Sequence, residues 1–265
     1  MTQFVSMTAV AAVLDEVAAT EILPRFRNLA DTDIHAKSSS EDLVTLADIE
    51  AERALTRRLP DLLPGSVVVG EEAVYADRAV LDRLSGDRPV WVVDPVDGTG
   101  NFSRGEPAFG VIVALVHRGE TVAGWILDPL AERLAMAELG AGATVNGQPA
   151  RVTSPPGPLD AFRGCAFGPR ERALRGHVRT VPVIRSAAQV YLRLVTNDFQ
   201  FAAFSRLMPW DHAAGVLIHA EAGGYGRLID GSAYAPTLRA GDIVFAPDKA
   251  SWTRMTGLMG ARVGR

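Results

Sequence analysis

The chain has 265 residues, 48% hydrophobic and 22% charged, with a formal charge of -4 at pH 7. That length makes one large domain or two joined lobes, and mild acidity with scattered Lys and Arg leaves no basic stripe for nucleic acid. The single Cys165 cannot form an internal disulfide, the start lacks a signal-peptide pattern, and no apolar run reaches the roughly 18 residues of a membrane helix. A cytoplasmic protein without a membrane partner is expected.

Apolar Val10, Val13, Leu14, Val17, Ile22 and Leu23 recur near helical spacing and predict an amphipathic helix over Met7 to Arg27. The polar connector Ala30 to Glu41, carrying Asp31, Asp33, His35 and Lys37, is expected as a mobile surface loop. A helix follows over Leu43 to Leu55, with Thr45 as a cap candidate and Asp48 and Glu52 on one face. From these residues alone, Asp48 is best taken as a solvated first-turn acid that favours the helix dipole. Pro64-Gly65 then turns the chain into a short strand, Val67 to Val69, which ends at Gly70-Glu71-Glu72, and a short helix follows around Asp77 to Leu84.

The strand Val90 to Val93 ends in Asp94-Pro95-Val96-Asp97-Gly98-Thr99-Gly100-Asn101-Phe102. Two adjacent carboxylates share a proton or are neutralised by metal, and with the Val96 carbonyl they offer hard oxygen ligands to one cation. The Gly98 and Thr99 amides are suited to an anion. The same residues also suit a plain turn, with Asp94 capping it and Asp97 opening an Asx-turn, and both readings stay open at this point.

Beyond this stretch, Phe109 to His117 and Val122 to Leu127 predict a hairpin, continued as a meander by Arg133 to Glu138 and Ala143 to Val145. Pro155-Pro156-Gly157-Pro158 marks a lobe boundary: residues 1–154 form an N-terminal α+β lobe with a large antiparallel sheet, and 159–265 a C-terminal α/β lobe. The second lobe alternates strand (Phe162 to Phe167), helix (Glu171 to Arg175), strand (Val181 to Ile184), helix (Ala187 to Leu194) and strand (Phe199 to Phe204). A helix with Asp211 as N-cap then runs to Gly223-Gly224, followed by a strand, Asp242 to Pro247, and a closing helix, Lys249 to Met259. His212 and His219 share that helix without a third ligand, which argues against zinc, and Cys165 among apolar neighbours reads as a buried hydrophobe.

Taken in order, Gly70-Glu71-Glu72, Asp94-Pro95-Val96-Asp97-Gly98-Thr99 and Trp210-Asp211-His212-Ala213-Ala214-Gly215 with Glu221-Ala222-Gly223-Gly224 resemble the inositol monophosphatase family. Those are magnesium-dependent, lithium-sensitive phosphatases of small phosphomonoesters. Upstream, Lys37-Ser38-Ser39 and Asp42-Leu43-Val44-Thr45-Leu46-Ala47-Asp48 look like the family's mobile loop and the helix carrying its Thr-activating aspartate. The resemblance implies an α/β (α+β) fold, a layered α-β-α-β-α sandwich of two lobes like that of fructose-1,6-bisphosphatase, in a homodimer. It implies that Glu71, Asp94, the Val96 carbonyl, Asp97 and Asp211 bind two or three Mg²⁺, with Mn²⁺ a possible substitute and Li⁺ and Ca²⁺ inhibitory. Thr99, paired with Asp48 and aided by Glu71, would orient and deprotonate a metal-activated water, with no phosphoenzyme. Asp97, Gly98, Thr99, Arg185, Ser186, Ala187, Arg206 and Asp211 would contact substrate, and Lys37 would sit in the mobile loop.

Three positions depart from the family pattern. Gly100 replaces a second threonine, Arg185 stands where glycine is usual, and Phe204, seven before Asp211, replaces the glutamate with which inositol-specific members bind ring hydroxyls. An apolar ring cannot supply those contacts. Inositol monophosphate therefore stands beside 3′(2′),5′-bisphosphate nucleotides, histidinol phosphate and fructose 1,6-bisphosphate as a substrate candidate. Arg185 or Arg206 would suit a second phosphate or carboxylate, while a solvated role is also open to Arg206. A haloacid-dehalogenase-type phosphatase needs Asp-x-Asp, whereas Asp94 and Asp97 are spaced Asp-x-x-Asp. A non-catalytic metal or phosphate regulator would have lost Thr99, Asp48 or a ligand, and none is missing.

Overall fold

The computed structural model describes residues 5–36, 43–166 and 168–260; Lys37, with the Ser38-Ser39 and Asp42 part of the upstream motif, lies outside them. Helix α1 (Met7–Val17) is shorter than its periodicity predicts, because the chain widens into a π turn at Ala18–Ile22 and tightens at Leu23–Arg25. Pro24 has no N–H to donate to the Thr20 carbonyl, so the α-helical ladder cannot run through it. Part of the connector expected to be loop is strand: β1 (Ile34–Ala36) pairs antiparallel with β2 (Leu43–Thr45), and α2 (Leu46–Leu62) starts only after Thr45.

The chain continues through β3 (Val67–Gly70), α3 (Glu71–Ala76), a 3₁₀ stretch at Arg78–Ser85, β4 (Val90–Asp97) and α4 (Thr99–Ser103). The meander follows: β5 (Gly110–His117), β6 (Glu120–Asp128), β7 (Arg133–Glu138), β8 (Gly142–Val145) and β9 (Gln148–Pro149). Strands β3 to β9 form a seven-stranded sheet in sequence order, in which only β3 and β4 run parallel.

After the Pro-rich break come β10 (Arg163–Cys165), α5 (Gly168–Leu174), β11 (Arg179–Thr180), α6 (Ala187–Val195), β12 (Phe201–Arg206), α7 (Pro209–Glu221), β13 (Tyr225–Leu228), β14 (Ala240–Ala246) and α8 (Lys249–Gly260). The smaller sheet has the order β11-β10-β12-β14-β13. Pairing stops at Thr180, so the predicted strand at 181–184 is absent, and β13 is an element the sequence did not announce. Cys165 is buried, which pushes its thiol up to about 12, as an inert small hydrophobe requires.

Among the described residues, three apolar cores fill the four gaps between five layers, one of them spanning both faces of the middle helices. Val10, Leu14, Ala51 and Leu55 of α1 and α2 pack on one face of the large sheet at Trp91, Val93 and Trp125. The other face, through Ile112, Ala114 and Ile126, meets α6 and α7, whose far sides reach Ala202 and Phe245 of the small sheet. Trp252, Met255 and Met259 of α8, with Leu174 of α5, cover that sheet's outer face at Phe201 and Val244. The order is helices, sheet, helices, sheet, helices, which is the α-β-α-β-α sandwich expected.

Helix α7 is clamped in the middle layer by glycines. A Cβ on Gly124 of β6 would lie 2.8 Å from the Ala214 Cα, and one on Gly215 would lie 2.2 Å from the Tyr191 ring of α6. His212, on the same helix, is held by the Tyr191 hydroxyl at Nδ1 (2.9 Å) and the Arg206 carbonyl at Nε2 (2.7 Å). Burial holds both His212 and His219 down to about 4, so both rings are neutral near pH 7. Overpacking costs about 1–3 kcal/mol, and the roughly 1 kcal/mol of helix propensity gained offsets only part of it. Gly215→Ala is therefore expected to lower the thermal midpoint by a few degrees, read by calorimetry; an unchanged or raised midpoint would show that α7 has slack against α6.

Candidate active site

The site begins at the start of α2. Thr45 is its N-cap and Asp48 its third residue, and both the Thr45 N–H (2.8 Å) and the Thr45 hydroxyl donate to Asp48 Oδ2. Asp48 Oδ1 is left facing the other way, where Thr99 Oγ1 lies 2.9 Å away. With Asp48 only 1% exposed, the solvated first-turn role is overturned: one oxygen caps the helix and the other holds Thr99. One turn on, Glu52 is also buried and accepts from the Glu72 and Ala73 amides (2.8 Å each), capping α3 and fixing Glu71 at its first position. Gly70 makes this possible, since a Cβ there would lie 2.3 Å from the Glu52 carboxylate. Sequence reading placed Glu52 on one helix face with Asp48 but missed this capping role, although a glycine directly before two acids at a strand end was the available signal.

Strand β4 does not stop at Val93 but runs to Asp97 through a bulge. Asp94 pairs with Ile112 and Asp97 with Gly110, so three steps on β4 face two on β5. Residues i and i+3 of a regular strand point to opposite faces; the extra residue restores a common face. Pro95, which has no N–H for the ladder, sits inside the irregularity. Gly98 follows at φ +91°, where a Cβ would meet the Ala108 carbonyl at 2.8 Å, and Thr99 turns its hydroxyl to within 3.0 Å of the Val96 carbonyl. Asn101, also missed from sequence, ties this turn to the chain before α6 by donating to the Ala108 (2.7 Å) and Ile184 (2.8 Å) carbonyls.

The second half of the chain closes the site. Asp97 accepts from the Ala187 (3.0 Å) and Ala188 (2.8 Å) amides and from the Ser186 hydroxyl at the start of α6. Met208, not Asp211, is the N-cap of α7: Pro209 begins the helix with its pre-set φ, which places Asp211 at the third position. From there Asp211 joins Asp94 and Asp97, and the three offer ligand oxygens within 4.8 Å of one another. A cavity of about 380 Å³ is lined by these three with Glu71, Val96, Gly98, Thr99, Arg104, Arg185 and Arg206. Glu71 shares that wall without its carboxylate entering the 4.8 Å group.

The electrostatics are those of acids pressed together out of water. Burial, then repulsion from Glu71, Asp97, Asp211 and Asp48, raises Asp94 well above the usual carboxylate range. Burial likewise lifts Asp48 to about 6 against its Thr45 bonds, and Asp97 to about 6 against its α6 donors. Asp94 Oδ1 is buried with no hydrogen-bond donor. A carboxylate oxygen left bare in a nest of carboxylates fits a divalent cation and little else.

The sequence profile of the inositol monophosphatase family matches residues 3–262. The chain belongs to that family. It is 35% identical over 211 residues to the inositol-1-monophosphatase SuhB of Mycobacterium tuberculosis, covering 73% of this chain and 71% of that one. It is 31% identical over 197 residues to a fructose-1,6-bisphosphatase/inositol-1-monophosphatase of Thermotoga maritima, covering 72% and 73%. In fold it is similar to a solved IMPase of Thermotoga maritima, with a TM-score of 0.83, 24% identity and 97% of each chain covered. The inositol monophosphatase family member described here is a phosphoric monoester hydrolase of a metal-dependent family, and no helix among its described residues is long and apolar enough to cross a membrane.

Raised folded-state pKa values mean that the acid cluster stabilises the metal-free protein least once it is ionised. For Asp48 and Asp97 this loss sets in as pH rises from about 4, the unfolded value, through about 6. Removing one charge relieves the repulsion, so Asp94→Asn is expected to raise the metal-free thermal midpoint at pH 7.5 and to shrink the further rise on adding Mg²⁺. Fluorimetry with and without EDTA measures both; a full Mg²⁺-induced rise in the variant would count against Asp94 as a ligand.

Proposed function

We propose that the protein is a Mg²⁺-dependent phosphomonoesterase acting on a small phosphorylated metabolite. The bare Asp94 Oδ1 inside the Asp94, Asp97 and Asp211 group carries this reading. Those carboxylates, with the Val96 carbonyl and Glu71, would hold the ions. When bound, Mg²⁺ offsets the carboxylates and the phosphate, acidifies a water and stabilises the leaving oxygen.

The chain's own groups then handle orientation and one proton. Thr99 has a single hydroxyl proton and two acceptors in reach, Asp48 Oδ1 at 2.9 Å and the Val96 carbonyl at 3.0 Å. Donating it to Asp48 leaves the Thr99 lone pairs to accept from a water in the cavity. As that water's oxygen bonds phosphorus and the ester P–O bond breaks, one of its protons passes to Thr99 Oγ1 and the Thr99 proton to Asp48 Oδ1, while the leaving oxygen takes a proton from solvent water and Asp48 returns its own to solvent. Asp48 suits this because burial raises its pKa to about 6, high for a carboxylate, which makes it the more basic acceptor. The Gly98 and Thr99 amides would hold phosphate oxygens. The products are the free alcohol and inorganic phosphate, with no covalent phosphoenzyme.

Release of inorganic phosphate from a panel of phosphomonoesters, with Mg²⁺ and with EDTA, tests the reading; no release from any of them would sink it. General-base assistance contributes about 10²–10⁴ in rate. Thr99→Ala and Asp48→Asn are each expected to lower kcat at least about 10²-fold with little change in KM, and Asp48→Asn at the parental rate would remove the proton relay.

A further inference from the structure

A second cavity, of about 300 Å³, adjoins the first. Asp97, Arg185, Arg206 and Asp211 border both, while Ser186, Ala187, Val190, Phe204, Ser205 and His212 line only the second. The two arginines therefore stand on the partition between the acidic site and an apolar annex. With the scissile phosphate at the carboxylates, the rest of the substrate extends past these guanidinium groups.

The wall of the annex is rigid and apolar. The Phe204 ring stacks on Tyr191 (5.6 Å between centroids, 20° between planes) and meets His212 edge-on at 4.8 Å. Tyr191 and both nitrogens of His212 are engaged with each other and with the Arg206 carbonyl. On the Phe204 and Val190 side this wall offers a face for carbon and no spare ring nitrogen, while its carboxylates, Asp97 and Asp211, stand at the border shared with the acidic site.

Arg185 supplies a second observation. Its φ is +56°, in the left-handed region that glycine occupies freely and other residues occupy at a cost. Of the six non-glycine residues with positive φ among the described residues, it alone borders this site. The strain is imposed from both sides: Asn101 holds the Ile184 carbonyl, and Ser186 caps α6 and donates to Asp97. A glycine would relieve the backbone, so what the arginine adds at this place is its charge.

Building on the phosphatase reading, we infer that the substrate is a phosphomonoester bearing a second anion, phosphate or carboxylate, that Arg185 and Arg206 bind at the mouth of the annex. Its carbon skeleton lies against Phe204 and Val190. Guanidinium groups suit such anions through paired, charge-assisted hydrogen bonds, and a cavity of this size takes a sugar or a nucleoside portion.

Matched probes differing in the second anion test this: fructose 1-phosphate against fructose 1,6-bisphosphate, adenosine 3′-phosphate against adenosine 3′,5′-bisphosphate, and glycerol 2-phosphate against glycerate 2-phosphate. In at least one pair, kcat/KM is expected to favour the doubly anionic member tenfold or more, the first two pairs reporting phosphate and the third carboxylate. Arg185→Gly and Arg206→Gln should each pull that ratio toward one, and Arg185→Gly should do so with a thermal midpoint at or above the parent's. Ratios near one in every pair, or a ratio that neither variant moves, overturn the inference while leaving the phosphatase intact. If no probe is hydrolysed, the phosphatase reading fails; calorimetric affinities of the same pairs with Ca²⁺ in place of Mg²⁺ then decide, equal affinities overturning the subsite and unequal ones supporting it.

Discussion

Burying like charges together is the constraint around which this molecule is arranged. Asp48, Asp94 and Asp97 are each withdrawn from water and all three are pushed toward protonation. A fold tolerates such a cluster only if the rest of the structure fixes the acids in place and a cation completes them. The fixing is visible: two donors from Thr45 on Asp48, three from the start of α6 on Asp97, and the amides of α3 on neighbouring Glu52. The completion is left to Asp94, whose Oδ1 has been given no donor.

The same economy explains why helix starts converge here. Asp48 is the third residue of α2, Asp211 the third of α7, and Asp97 is bound by the first turn of α6. Helix N-termini carry partial positive charge, which offsets part of the repulsion before any metal binds. Bringing three of them to one point requires α6 and α7 to lie tightly between the sheets. The glycine contacts at Gly124 and Gly215 permit this, so close packing far from any substrate sets the position of Asp211.

Much of this was legible in the sequence, for reasons that can be named. Long apolar runs gave the meander, the glycine pair gave the end of α7, and the order of acidic motifs gave the family. What was hidden depended on register or on distant neighbours. The Asp94 and Asp97 spacing looks wrong for one face of a strand until the bulge is known, and no local signal fixes that bulge beyond Pro95. Asp211 reads as a cap because Asp is a good cap; Pro209 outranked it by starting the helix three residues earlier than an Asp211 cap would. The capping role of Glu52 spans twenty residues to Glu72, which periodicity cannot see. Strand β13 is short, with Arg227 in it, and is specified by pairing with β14 rather than by its own composition.

In the proposed reaction most groups assigned to chemistry and those assigned to specificity come from different parts of the chain, with Asp211 the exception, yet the two are mechanically joined. Thr99, Asp48 and Glu71 come from the first half, whereas Arg185, Phe204 and Arg206 come from the second. Ser186 is the joint: its hydroxyl donates to Asp97 and accepts from the Gln189 amide as the cap of α6. Arg185 is its immediate predecessor and is held on the other side by the Asn101 bond to Ile184. The guanidinium stem therefore starts at a fixed place relative to the carboxylates that would hold the metal. Positioning of this kind turns a charge into a measure of distance, because a ligand with two anions gains from both sites only when their separation matches the one the backbone sets. If Arg185 binds a second anion as inferred, its strain fits this role, since a residue free to relax would still attract anions but would discriminate less among them by length.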